Sequence, residues 1–290
     1  MSKILAWCVV GFAWLITCPF GGRRGGKARL RATDILLKKG WEPKLRSSGI
    51  VFRKPSAITK IGSREVRYVT HSRAASHVFD AVSEEEPDTI VWIDEFSDSP
   101  AYLWDIGANA GVFSIYAAQR SNVRVLAFEP GAGSYQALNE NIELNGLDRR
   151  ILAYPVALCA ETKIDVLNMK NTKPGMSMHS FAAQVDQFER PINLAFRQGA
   201  VGFSIDDFVR LFAPPLPTYV KMDVDGLEPD ILRGGRRMLS MPTVRSVILE
   251  VEGSEARQVG LVALMSELGF VARPKGRASY RNIIFDRPAT

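Results

Sequence analysis

Three short stretches of the chain combine residue types and spacings suited to chemistry. The first, residues 105–111, reads Asp-Ile-Gly-Ala-Asn-Ala-Gly. Gly107 and Gly111 would let the backbone approach a nucleotide-like ligand at the carboxyl end of a first strand, where Cβ atoms obstruct. On that reading Gly107→Val costs ligand affinity and spares the fold. Asp105 and Asn109 could exchange hydrogen bonds with a cationic amino-acid group. The second is Glu129, which follows Gly111 by 18 residues. An acidic residue at the end of a second strand can take both hydroxyls of a ribose. The third, residues 221–228, reads Lys-Met-Asp-Val-Asp-Gly-Leu-Glu. Asp223 and Asp225 share a side if the strand persists, and one could act as a general base. The plainer alternative is that Asp225-Gly226 only forms a turn and caps the next helix. His179, in the loop Met176-Ser-Met-His-Ser, is a second candidate base, and its plainer reading is a polar surface residue.

The elements needed to position these residues are legible in the hydrophobic pattern. Apolar runs at 102–106, 123–128, 151–158, 219–224 and 244–251 read as buried parallel strands. Helices are expected at 112–120, 134–145, 229–239 and 256–268. Another should begin after Ser204, an N-cap with Asp207 at the capping-box position. Strands near 270–273 and 280–286 lie too close for a crossover helix and should form a hairpin. Upstream, 50–52 and 65–69 read as short strands and 74–96 as helix with a break at Glu84-Glu85-Glu86-Pro87. The stretch 160–200 is less regular, with a strand-like piece at 163–167. The expected fold is α/β: a Rossmann-like, doubly wound, mostly parallel sheet with an antiparallel C-terminal hairpin.

Composition narrows the classes further. Apolar residues make up 46% and charged residues 23% of the 290, which is ordinary for a globular protein with a real core. Cys8, Cys18 and Cys159, with the scattered His71, His77 and His179, provide no zinc or disulfide spacing, so no metal site is expected. The net charge of +6 hides an excess of +12 in residues 21–73 and a deficit of −7 after them. Such a basic arm could touch anionic lipid, nucleic acid or a phosphorylated substrate. No nucleic-acid-reading motif accompanies it. Residues 4–20 carry no charge and match the shortest membrane spans, about 17 residues. A membrane anchor, a cleaved signal peptide, a leader without part in the enzyme and a misassigned start codon all fit that segment. The resulting division is an apolar segment at 1–20, a basic extension with accessory elements at 21–98, and a ligand-binding domain at 99–290.

The motifs taken together resemble the FkbM family of methyltransferases. The matching text is WDIGANAGVFSIYAA (104–118), VLAFEPGAGSYQALNENIELNGL (125–147), SIDDF (204–208), KMDVDGLEPDILRGG (221–235) and VILEVEG (247–253). The resemblance implies transfer of a methyl group from S-adenosyl-L-methionine (SAM) to a hydroxyl of a glycan, lipid or secondary metabolite. It implies that Asp105, Gly107, Asn109, Gly111 and Glu129 contact the cofactor. It puts Asp223 and Asp225 beside the acceptor, with Glu250 in support. The family usually has Glu where this chain has Asp225, which shortens that arm by one methylene. A cytoplasmic protein is expected, joined to the membrane if 4–20 acts as an anchor. Two alternatives keep the fold: an NAD-dependent oxidoreductase, disfavoured by the missing G-x-G-x-x-G, and a non-catalytic SAM-binding scaffold at the membrane.

Overall fold

The structure is a computed structural model, and it describes residues 55–176, 179–182, 195–251, 255–274 and 282–288. The apolar segment 4–20, most of the basic arm and the strand expected at 50–52 lie outside these residues. Among the described residues, no helix is long and apolar enough to cross a membrane.

The chain runs through a hairpin, β1 (Ser56–Ile61) and β2 (Arg64–Val69), into α1 (Arg73–Glu85) and α2 (Pro87–Asp94). The helix expected over 74–96 is thus two helices. Pro87 at the start of α2 ends the first at Glu86, whose N–H donates to Val82 O at 2.9 Å. Then β3 (Ala101–Ile106), α3 (Val112–Ala118), β4 (Val123–Phe128), α4 (Ala132–Asn145) and β5 (Ile151–Tyr154) alternate. After β6 (Ala157–Leu158), β7 (Lys163–Met169), β8 (His179–Phe181) and β9 (Phe196–Phe203) come α5 (Ile205–Phe212) and β10 (Tyr219–Met222). The chain continues through α6 (Glu228–Gly234), α7 (Arg236–Leu239), β11 (Ser246–Glu250), α8 (Glu255–Glu267), β12 (Val271–Ala272) and β13 (Asn282–Asp286).

Seven strands form the main sheet in the order β12-β13-β11-β10-β3-β4-β5. All neighbours from β11 to β5 are parallel, and β13 runs antiparallel to both β11 and β12. Successive residues bury on opposite faces, as strand geometry requires. Leu103, Val125, Tyr219 and Ile248 meet α1–α4 on one face, while Trp104, Leu126, Val220 and Val247 meet α5–α8 on the other. The hairpin β1–β2 and helices α1 and α2 share the first of these cores, through Ile61, Val66, Phe79 and Trp92.

Several sequence expectations are corrected here. The third strand does not run from 151 to 158. Pro155 has no N–H to give a ladder, so the strand stops at Tyr154 and the chain leaves the sheet. The irregular stretch after 160 is a second, four-stranded sheet in the order β6-β9-β7-β8. The helix expected at 229–239 is likewise two, α6 and α7, meeting at Gly235. The cap of α5 also differs in detail. Ser204 Oγ accepts the Asp207 N–H at 3.1 Å, as expected. The return half passes through Thr162, whose Oγ1 accepts the Ser204 N–H (3.2 Å) and whose hydroxyl donates to Asp207 (2.6 Å).

Candidate active site

At the carboxyl ends of β3, β4 and β10 lies a cleft of about 720 Å³, open to solvent on one side. Its floor is Ile106, Gly107, Asn109, Phe128 and Glu129, and Asp223 and Asp225 form one wall. The second sheet roofs it with Leu167, His179 and Phe181. Of the residues singled out by sequence, Gly107, Asn109, Glu129, His179, Asp223 and Asp225 converge on this cleft. Asp105 and Gly111 do not line it.

Asp105 sits one layer below. It is 1% exposed, and its Oδ2 accepts the Ser114 hydroxyl at 2.5 Å, while Oδ1 lies 4.0 Å from Lys221 Nζ and has no hydrogen-bond donor among the described residues. Burial raises its carboxyl above the usual range, against the pull of Lys221 and Ser114. Its geometry anchors α3 to the sheet. Gly111 caps α3 in the left-handed region (φ 88°), and an added Cβ would overlap Leu138 Cδ1. Gly107 is left-handed as well (φ 81°), and its missing Cβ leaves room for the Asp223 carbonyl. Both glycines are therefore required by the protein's own backbone, which is a different reason from ligand approach.

Glu129 is buried at the end of β4. Its Oε2 accepts the Asn109 N–H at 2.9 Å and its Oε1 the Gly131 N–H at 2.7 Å. A carboxylate offers about four acceptor positions, so two remain for a ligand. Burial pushes this carboxyl up to about 7, against those two amides, and Asp225 and Asp105 add to the rise. Asn109, itself at φ 50°, has a buried Oδ1 with no donor among the described residues.

On β10, Lys221 went unnoticed in the sequence as a functional group. It is 3% exposed, with Nζ 3.1 Å from Asp223 Oδ2 and 4.8 Å from the centre of the Phe113 ring. Burial works against its charge, but Asp223, Asp105 and Glu86 outweigh that and raise it above the ordinary lysine value. A lysine so held is a fixed cation and no base. Its signal was available: a lone charge inside the run Tyr-Val-Lys-Met must be paired.

The loop after β10 is clamped from behind. Asp225 takes φ 53°, a region Asp tolerates better than most residues, and its Oδ2 accepts the His179 N–H at 3.2 Å. That bond ties β8, and so the roof, to the wall. Glu228 accepts the N–H groups of Val224 (3.2 Å) and Gly226 (3.3 Å), and Arg257 from α8 pairs with Glu228 at 3.0 Å. The chain does turn at Asp225-Gly226, both at positive φ, but Asp225 does not cap the next helix: α6 follows Leu227 with no side-chain cap bond, and Glu228 holds the loop before it. Glu250 ends β11 level with Asp223, since Met222 pairs with Leu249.

Comparison with known proteins gives this geometry a family. The sequence matches the Methyltransferase FkbM domain over residues 105–272. It is 24% identical over 193 residues to the methyltransferase sdnD of Sordaria araneosa, covering 59% of this chain and 74% of that protein. It is 25% identical over 166 residues to the hexuronic acid methyltransferase AglP of Haloferax volcanii, covering 57% of this chain and 62%, less than two-thirds, of that one. Among solved structures, a SAM-dependent methyltransferase of Agrobacterium tumefaciens superimposes with a TM-score of 0.46 at 14% identity, covering 81% of this chain and 70% of its own. With the domain match spanning more than half of its length, and with the methyltransferase reading favoured over the oxidoreductase one, the chain belongs to the FkbM family of methyltransferases.

Proposed function

We propose that this protein transfers the methyl group of SAM to an oxygen, most simply a hydroxyl of a glycan, lipid or secondary metabolite. The observation that carries the reading is the charge of the cleft. Glu129, Asp223 and Asp225 all face it, and no Lys or Arg stands among its described lining residues. Such a site favours a cationic ligand with a ribose. SAM when bound supplies a methyl group on a positively charged sulfur. Glu129 would hold the ribose hydroxyls through its two remaining acceptor positions, and Asn109 Oδ1 would accept a further hydrogen bond. Phe128, Pro130, Val156 and Leu158 would enclose the apolar face of the base. Asp223, fixed by Lys221, would receive the proton of the acceptor hydroxyl. The name of AglP supports a sugar acceptor, because every methyl acceptor on a hexuronic acid is an oxygen.

Calorimetric titration with SAM and with NAD tests the cofactor, and labelled SAM with a panel of glycans and lipids tests the acceptor. Binding of NAD in preference to SAM would sink the reading. Glu129→Ala should weaken SAM binding by about 1.5–3 kcal/mol, the range for a hydrogen bond to a charged group. The pH dependence has a definite sign. With a carboxyl near 7, the ligand-free protein carries Glu129 increasingly protonated as pH falls, so SAM affinity should fall below pH 7. In Glu129→Ala this contribution should vanish. The same raised value stabilises the empty protein below the ordinary carboxylate range and is lost as pH rises through about 7. A wild-type SAM affinity that is flat from pH 8 to pH 6 would remove Glu129 from the ribose site.

A further inference from the structure

Glu129 opens a loop that is gripped from outside the cleft. Gln198, half-buried on β9, takes that loop with both ends of its side-chain amide. Its Nε2 donates to Pro130 O at 2.7 Å, and its Oε1 accepts the Ala132 N–H at 2.9 Å. Gly131 lies between those two residues with extended backbone (φ −72°, ψ 115°). In extended chain, the carbonyl before a residue and the N–H after it point to one side, and the residue's own N–H points to the other. The Gly131 N–H accordingly points away from Gln198, and Glu129 Oε1 accepts it at 2.7 Å. Gly131 is also the N-cap of α4 and makes no side-chain cap bond, so Gln198 satisfies one of the N–H groups that the helix start leaves open.

The strand that carries Gln198 belongs to the roof. In register, Gln198 pairs with Leu167 of β7, and Leu167 with Phe181 of β8. Paired residues on neighbouring strands share a face, and Leu167 and Phe181 roof the cleft. Gln198 ends that row and borders the outer side of the loop with Pro130, Ala132 and Tyr135. It is not among the described residues that line the cleft. The loop lies close under this sheet, since a Cβ added at Gly131 would come 3.7 Å from Met169 Cε and 3.9 Å from His179 Cδ2. The roof is thus tied to the Glu129 loop through Gln198, as it is to the wall through the His179 N–H and Asp225.

We propose that Gln198 is a positioning residue of the cofactor site. By clamping Pro130 and Ala132 it aims the Gly131 N–H at Glu129, and so holds that carboxylate in the pose that takes a ribose diol. The inference rests on the SAM reading above. Gln198 touches neither reactant and acts through Gly131 and Glu129. Without the clamp the Glu129 Oε1 loses a fixed donor, and the ligand must order the carboxylate itself, which lowers affinity.

The test is a double-mutant cycle, read by calorimetry with SAM on the full chain: wild type, Gln198→Met, Glu129→Ala and the double variant. Met keeps the length of the Gln side chain and removes both hydrogen bonds. Gln198→Met should weaken SAM by about tenfold, within the coupling found between residues of one hydrogen-bond network. In the Glu129→Ala background the same substitution should change SAM affinity by less than about twofold, because the group it positions is gone. Equal weakening in both backgrounds would mean that Gln198 only packs the loop, and overturns the proposal. So does an unchanged affinity in Gln198→Met. Should the Met variant fail to fold, Gln198→Asn, polar but one methylene too short to hold both groups, is read through the same cycle. If wild type does not bind SAM, the cofactor reading fails and takes this inference with it, whereas equal weakening with wild-type binding intact defeats the inference alone.

Discussion

Gly107→Val should yield little folded protein, with a melting temperature far below wild type before any ligand is added. The loop after β3 is fixed on both sides. The N–H groups of Gly107 and Ala108 both donate to Phe128 O at 3.0 Å, and Asp223 N–H donates to Ile106 O at 3.1 Å. A Cβ at position 107 would overlap the Asp223 carbonyl oxygen and lie 3.0 Å from Val224 Cγ1. The overlapped atom belongs to the backbone of a central strand's exit, so it cannot swing aside. Valine also has to hold φ 81°, which a β-branched residue resists. Strain of about 1–2 kcal/mol for the dihedral, with roughly 1–3 or more for the overpacking, is a large part of a total stability of about 5–15 kcal/mol. Thermal unfolding by circular dichroism is the measurement. A variant with wild-type melting behaviour and lost SAM affinity would restore the simpler role, ligand approach, that the sequence suggests for this glycine.

Gly107 is one place where the structure adds a constraint that the sequence does not convey. The strands β3, β4, β10 and β11 are legible because each is an apolar run buried on both faces, and their ends bring Gly107, Glu129 and Asp223 to one edge. Of the second sheet only β7 shows in the sequence, as the strand-like piece at 163–167, and the rest is illegible for the opposite reason. Its strands are half-exposed, with Ile164 and Val201 facing solvent, so neither strand alternation nor a continuous apolar run marks the others out. The roof of the cleft, including the setting of His179, depends on that sheet. Glu86 is hidden differently. In the sequence, Glu-Glu-Glu-Pro reads as a break in a helix, whereas in the structure Glu86 is partly buried and accepts from Thr89 at 3.1 Å and from Asn282, 196 positions away, at 3.3 Å. Asp105 reads as a ligand contact because motif spacing cannot distinguish a side chain lining a cleft from one lying directly beneath it.

Asp223→Asn should lower kcat by about 10²-fold or more at saturating SAM, the usual range for a lost general base. The fold should survive the change. Lys221 would keep Asp105 at 4.0 Å and the field of Glu86, so its buried ammonium would not be left alone. Asparagine fills the same volume and offers its carbonyl to Lys221 in place of the carboxylate oxygen now at 3.1 Å. What it cannot do is accept a proton. Loss of one negative charge from the cleft wall should also weaken SAM, which is why the comparison must be made at saturation. His179→Ala is the control for the rival base, because His179 lines the same cleft from its roof. Its backbone N–H, which Asp225 accepts at 3.2 Å, is unaffected by the substitution, so the roof should stay in place. With an acceptor drawn from the glycan and lipid panel, single-turnover rates of the two variants separate the roles. If the histidine variant loses the chemical step and Asp223→Asn keeps it, proton acceptance belongs to His179. Asp223 would then serve only to fix Lys221 and shape the wall.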